Sequence, residues 1–269
     1  MKSLLRWSTA VGLVGNIILG AFLTQILPAE ALPREQIVEK LRIIPVYTIA
    51  DAQGAPLVAS GQNNERVAGV FISKQDAQAF VTRLQTQNQD LASKVQVVPI
   101  SLAEVYQLAQ ENEGKQDGLN FAYVPEQDEV ESAKQLLSAS GEQFAGGVPL
   151  FVARGGQNQG YLTIEQNSQQ VVPFFFEKQQ ILQLIERFKQ SQPDLAATVK
   201  IDVVPLEAML ATLEEKNDEL LTRVVLIPSQ ESIEFIRQSQ QQNGNQNGNA
   251  QPPARPSAPA PQTAPPRRN

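Results

Sequence analysis

"VFISKQDAQAFVTRLQTQNQDLASKVQVVPI" (70–100) returns, altered but in order, as "FFFEKQQILQLIERFKQSQPDLAATVKIDVVPL" (174–206). Phe71 matches Phe175, Lys74 matches Lys178, Gln75 matches Gln179 and Arg83 matches Arg187. Asp90-Leu91-Ala92 matches Asp194-Leu195-Ala196, and every one of these pairs lies 104 positions apart. A two-residue insertion then sets "KVQVVP" (94–99) on "KIDVVP" (200–205). Outward, "IPVYTI" (44–49) answers "VPLFVA" (148–153), and "FAYVPEQDEVESAKQ" (121–135) resembles "VVLIPSQESIEFIRQ" (224–238). Ordered agreement over four segments points to an internal duplication rather than chance. The body, 36–237, divides into a first half at about 36–139 and a second at about 140–237.

Each copy carries the same run of local signals. An apolar run ("IPVYTI"), a turn-rich stretch ("ADAQGAP") and a short apolar run ("LVAS") predict a hairpin. "VAGVFI" predicts a further strand, and Ser73 with Asp76 the start of a capped helix. Ala77, Phe80, Val81 and Leu84 then share one helix face. The second copy repeats this with Ile181, Leu184, Ile185 and Phe188. "VQVVPI" and "IDVVPL" read as strands closed by their prolines. Ser101 and Glu104 cap another helix, and "LNFAYVP" and "RVVLIP" are the last strands, each before a last helix. The plan per half is β-β-β-α-β-α-β-α. The expected fold is mixed α/β: two pseudo-twofold-related halves, each a mixed sheet covered by helices.

Both ends differ from this body. Lys2 and Arg6 precede an apolar run, Ala10–Leu27, and Ala29-Glu30-Ala31 presents small residues at the positions an export peptidase reads. Residues 1–31 read as a secretory signal peptide cleaved after Ala31; the alternative is a retained anchor. Residues 238–269 are rich in Gln, Asn and Pro, with too little apolar surface to offset ordering, and read as a disordered tail. Without Lys2, Arg6 and Glu30 the chain keeps 20 basic and 27 acidic residues, a formal net charge of −7. That balance argues against nucleic acid and against direct adhesion to anionic lipid.

The 269 residues contain neither histidine nor cysteine. Ser-His-Asp and Cys-His catalysis, thiol redox chemistry, disulfides and His- or Cys-ligated zinc are thereby excluded. "GQNNERVAG" and "ARGGQNQG" lack the spacing of a phosphate cradle and read as hairpin loops. The acidic runs "PEQDEVE" (125–131) and "LEEKNDE" (213–219) read as helix capping and a solvated face. No metal, cofactor or catalytic residue is expected, and the chain reads as a non-enzyme.

The apolar strands carry more information. In "VVPFFFEKQQ" (171–180), Phe174 and Phe176 point to one side and Phe175 to the other. They correspond to Val70, Ile72 and Phe71, so both faces of this strand are apolar in both copies. One reading is a central strand buried on both sides. The other has one face lining an apolar groove for polypeptide segments, built from Val70, Phe71, Ile72, Val172, Phe174 and Phe176.

"IPVYTIADAQGAPL" (44–57), "GVFISKQDAQAFV" (69–81), "KVQVVPISLAEVY" (94–106), "VPLFVARGG…GYLTI" (148–164), "PFFFEKQQ" (173–180) and "KIDVVPLE" (200–207) together resemble the Tic22 family of the chloroplast protein-import machinery. The bacterial-type leader and the Gln/Pro-rich tail suggest a cyanobacterial member. The resemblance implies a pseudo-symmetric α/β fold and non-catalytic, chaperone-like assistance to protein translocation or outer-membrane protein biogenesis across the periplasm. Unfolded or precursor polypeptides are the implied partners, together with the POTRA domains of an outer-membrane insertase and a peripheral association with membranes. The implied location is the periplasm or thylakoid lumen. The alternative is an assembly factor stably docked on a thylakoid or outer-membrane complex.

Overall fold

The computed structural model describes residues 32–61, 65–216 and 218–247. The leader and residues 248–269 lie outside the described residues, so the signal-peptide reading and the end of the tail are not addressed by it. Helix α1 (Arg34–Arg42) opens the fold and is followed by β1 (Pro45–Asp51), β2 (Val58–Ser60) and β3 (Arg66–Phe71). Next come α2 (Lys74–Gln87), α3 (Gln89–Ala92), β4 (Val95–Ser101), α4 (Leu102–Asn112), β5 (Leu119–Val124) and α5 (Gln127–Ala139). The second series is β6 (Pro149–Gly155), β7 (Gly160–Tyr161), β8 (Ile164–Gln166), β9 (Gln169–Phe175), α6 (Lys178–Ser191) and α7 (Pro193–Ala196). It closes with β10 (Lys200–Pro205), α8 (Leu206–Glu215), α9 (Glu219–Arg223), β11 (Val224–Ile227) and α10 (Gln230–Asn247).

The strands form two mixed sheets. In the first, β1 lies antiparallel between β4 and β3, β2 pairs antiparallel with β3, and β5 runs parallel to β3. In the second, β6 lies antiparallel between β10 and β9, β8 pairs antiparallel with β9, and β11 runs parallel to β9. The predicted helix starts are present: Ser73 Oγ accepts from the Asp76 amide, and Ser101 Oγ from the Glu104 amide. "ARGGQNQG" forms the β6–β7 hairpin, with Gly156 in the left-handed region at φ 76°.

Four sequence expectations change. Opposite the first residues of β1 and β6, Pro45 and Pro149, stand Ser101 and Pro205, so β4 and β10 keep a spacing of 104 and the two-residue insertion is absent. A slip of two residues preserves the in/out alternation of a strand, so residue similarity alone could not exclude it. Pro99 does not close β4, which continues to Ser101. Among the described residues β4 pairs only with β1, and an edge strand tolerates a missing donor. Finally, α10 carries the chain as helix through Gln238–Asn247, where composition predicts disorder. Propagation adds one hydrogen bond for each residue fixed, and glutamine is a fair helix former. The folded body also begins before residue 36, since Leu32 is buried in the core.

The central core joins the two sheets. Val70 and Ile72 from β3 and its end, and Phe174 and Phe176 from β9 and its end, meet α1 through Ile37 and Leu41, α4 through Leu102 and Val105, and α8 through Leu206 and Leu213. Lys40 on α1 reaches into the second series, its Nζ donating to the carbonyls of Thr222 (2.7 Å) and Val224 (2.8 Å); burial lowers its pKa. The outer face of each sheet is covered partly by a helix from the other series. Ala133 on α5 packs with Phe151, Phe175 and Ile181 of the second series. Phe235 on α10 meets Tyr47 of β1 edge-on, ring centroids 6.0 Å apart.

Phe174 and Phe176 are each 3% exposed. Replacing Phe174 with Ala is therefore expected to cost about 3–5 kcal/mol, as for other large-to-small changes in a packed core. The double variant Phe174→Ser with Phe176→Ser should fail to fold, and urea denaturation followed by circular dichroism checks both outcomes.

Candidate functional site

All six residues expected to line a groove are buried, and five of them lie in the core between the sheets. Val70, Ile72, Val172, Phe174 and Phe176 all belong to the cluster between the sheets. Alternation along β3 and β9 had placed them correctly on one face, but that face meets the other sheet instead of water. Phe71 points the opposite way, and its ring does line a groove.

That groove lies on the outer side of the first sheet and encloses about 470 Å³. Its floor is Val67, Gly69 and Phe71 of β3 with Ala122 and Val124 of β5. Ile49, Leu57, Val58 and Ala59 form one wall, and Phe80 and Arg83 of α2 with Leu91 of α3 form the other. Phe71 and Phe80 pack as a tilted pair, centroids 5.6 Å apart. Arg83 is the one charged lining residue, it is exposed, and it forms no salt bridge among the described residues. The size and apolar lining fall in the range of sites that take a ligand side chain or chain segment.

Two small residues make the depth. Gly69 and Ala122 are register partners across β3 and β5. The corresponding partners in the second sheet, across β9 and β11, are Pro173 and Val225. A Cβ at position 69 would come within 3.3 Å of the Phe71 ring, so even alanine there would press on the floor. On the second sheet, Leu162 is buried, and Phe144 packs against the same outer cluster. The sequence does hold a signal for the groove: small residues on the outward positions of β3 and β5, set against bulkier ones at the matching positions of β9 and β11.

A second feature was not foreseen at all. The N-termini of α2, α5, α6 and α10 meet; two of the carboxylates there cap a helix of the other series, and a third caps one of its own. Glu231 of α10 accepts from the Lys74 amide (2.9 Å) and the Gln75 amide (3.2 Å) at the start of α2. Glu129 of α5 accepts from the Lys178 amide (3.0 Å) at the start of α6. Glu177, just before α6, accepts from the Gln230 amide (2.8 Å) at the start of α10. Such caps satisfy orphan amides and complement the helix dipoles. The capping role expected of "PEQDEVE" is thus present, though Glu129 serves a different helix from its own.

Glu126, the residue before α5, makes no side-chain cap bond. Burial, then the charges of Glu177, Glu129, Glu231 and Asp76, push its pKa up to about 7. Burial also raises Glu129, Glu177 and Asp76. These carboxylates do not line the groove, and no group of acidic residues suited to hold a metal ion is found among the described residues. "LEEKNDE" is mixed: Asp218 caps α9, while Glu214 accepts from Gln110 Nε2 of α4 (2.6 Å).

Two mixed sheets sharing one core, with an apolar groove on an outer face, define an α/β protein whose most developed concave site is suited to binding. The model of the Tic22-like family matches residues 11–239, and the chain belongs to that family. Anabaena Tic22, a protein-transport protein, superposes with a TM-score of 0.68 at 34% sequence identity, over 77% of this chain and 97% of its own. Tic22 from Plasmodium falciparum shares the fold, with a TM-score of 0.62 at 19% identity over 77% and 98% of the two chains. The chloroplastic protein TIC 22 of Pisum sativum is 23% identical over 203 residues, 75% of each chain.

The Glu126 carboxyl binds its proton more tightly in the folded protein than in the unfolded chain, where it titrates near 4.5. Its contribution to stability is therefore fully present below that value and lost as pH rises through about 7. Glu126→Gln should stabilise the protein at pH 8 by on the order of 1–2 kcal/mol after solvent screening, and leave it unchanged at pH 4.5. Urea unfolding at the two pH values measures the difference.

Proposed function

We propose that this protein is a non-enzymatic, chaperone-like carrier that assists protein transport by holding apolar segments of precursor polypeptides in the groove of the first sheet. The observation that carries this reading is the groove itself: about 470 Å³, lined by aliphatic and aromatic side chains from six elements, with Arg83 as its one charged lining residue. Membership of the Tic22-like family supports protein transport as the setting. An extended segment would bury alternate side chains against Phe71, Phe80 and Leu57, burial worth roughly 1.5–3 kcal/mol per large side chain. Transient capture needs affinity of that modest kind. The net negative charge keeps the remaining surface a poor ligand for other acidic proteins.

The location in this proposal is the periplasm or thylakoid lumen, reached by a leader cleaved after Ala31. POTRA domains of an outer-membrane insertase and membrane surfaces enter as partners through the family resemblance. A stably docked assembly factor is the second reading. It is favoured by one observation: Ile43, 56% exposed, sits beside Phe235 and Ile236 in a separate surface depression next to the edge strand β4. The fold is further proposed to derive from duplication. α2 and α6 are each 14 residues long and start 104 apart, and Gln110 meets its own counterpart, Glu214, as residues on a twofold axis do.

The test is suppression of aggregation of reduced, carboxymethylated α-lactalbumin, with its affinity measured by fluorescence anisotropy. Ala122→Leu fills the groove floor and is expected to weaken binding by about tenfold, the loss of one well-buried side chain, while thermal stability stays within a few degrees of wild type. Ile43→Ser should leave client binding intact. The reverse pattern, with one partner recovered at fixed stoichiometry, would transfer the assignment to the docking reading.

A further inference from the structure

The cross-capping junction touches the groove through one element. α2 supplies the groove wall residues Phe80 and Arg83, and the amides of its first turn, at Lys74 and Gln75, are held by Glu231 from α10. α6 is held reciprocally by Glu129 from α5, and α10 by Glu177. Three carboxylates thus fasten three helices, two of them across the two series. Glu126 is placed among them with no capping bond of its own. A further polar group lies at the same place: the hydroxyl of Tyr47, a fully buried residue of β1, stands by Glu231 and Ser232.

We infer that this junction is a pH-responsive clasp that regulates the groove by holding or releasing the first turn of α2. The proposal rests on the groove being the client site. The groups that face Glu126 come from every helix that starts there: Asp76 of α2, Glu129 of α5, Glu177 before α6 and Glu231 of α10. Around them stand Asp128, Lys178 and Arg83, which act on Glu129 or Asp76, and Tyr47, which feels Glu231. With the Glu126 carboxyl protonated, the three caps keep their amides with less mutual repulsion. When it loses its proton to water as pH rises, a further negative charge enters a half-buried set of like charges, and no described hydrogen bond compensates it. The weakest caps give way first. Glu231 spans two amides of α2 from another helix, so its release frees the wall that carries Phe80 and Arg83. A wall that is no longer held costs binding its preorganisation, so clients are held at mildly acidic pH and released at alkaline pH.

The experiment follows backbone amide hydrogen exchange in the purified protein at pH 5.5 and pH 8, each rate taken relative to its intrinsic value at that pH. The affinity for reduced, carboxymethylated α-lactalbumin is measured under the same conditions. In wild type, protection of Lys74, Gln75 and Lys178 should fall by at least about threefold between pH 5.5 and 8 as local opening becomes easier. Affinity should fall by a similar factor. Glu126→Gln, nearly isosteric and unable to ionise, should make both pH-independent. Protection that falls with pH in Glu126→Gln as it does in wild type overturns the clasp. Protection that behaves as expected while wild-type affinity stays flat overturns the regulation of the groove. The groove reading is judged apart from both, because Ala122→Leu should weaken binding at pH 5.5 with or without Glu126→Gln.

Discussion

The inner faces of the two sheets share one apolar core, and most of the fold follows from that single burial. Val70 and Ile72 on one side and Phe174 and Phe176 on the other are covered only because the opposing sheet and helices α1, α4 and α8 close over them. Neither sheet could bury this face alone, so the two series of elements form one cooperative unit. The outer faces then become the remaining problem. Each sheet has an amphipathic helix from its own series, α2 or α6, and each receives a second from the other series, α10 or α5. That exchange links each outer face to the opposite series.

Much of this was legible in the sequence, and the limit of legibility is physical. Strand and helix identities were readable because their periods are local: Ile181, Leu184, Ile185 and Phe188 mark one helix face whatever surrounds it. The same alternation separates Phe175 from its two neighbours, yet it cannot say what covers a face. An apolar face turned to a second sheet and one turned to a client look alike in sequence, which is why Phe174 and Phe176 read equally well as groove or as core. Of the whole candidate set only Phe71 lines the groove of the first sheet. The cross-caps were illegible for a related reason. "PEQDEVE" announces a helix start, but which amides a given carboxylate meets depends on tertiary placement, and Glu129 meets those of α6.

Bringing four helix starts together is electrostatically awkward without compensation. Their partial positive charges repel, and their first amides lack intrahelical acceptors. Glu129, Glu177 and Glu231 answer both demands, since each accepts from an amide and brings a negative charge. Asp76 and Glu126 carry the set beyond what the caps require. An excess of like charge in a partly buried place is relieved most cheaply by protonating the member with no hydrogen bond to lose. That member is Glu126, whose pKa is accordingly the one pushed up to about 7.

The two sheets share a strand order but not a surface. The second sheet fills its outer face, with Leu162 buried and Phe144, Leu184 and Phe188 packed on the cluster. The first leaves the corresponding volume open. The difference comes down to a few side chains on shared backbone geometry: Gly69 against Pro173 and Ala122 against Val225 at paired strand positions. Removing side-chain volume from a packed core ordinarily destabilises it, because the hole left behind has no contacts to offset the lost burial. Here the same loss of volume sits at a face that can reach water, where it opens a recess and spares the core. The central core, which cannot tolerate such a change, keeps its large residues. The groove therefore lies where the two sheets differ, on the outer face of the first sheet, and outside the phenylalanine strand that the sequence makes most conspicuous.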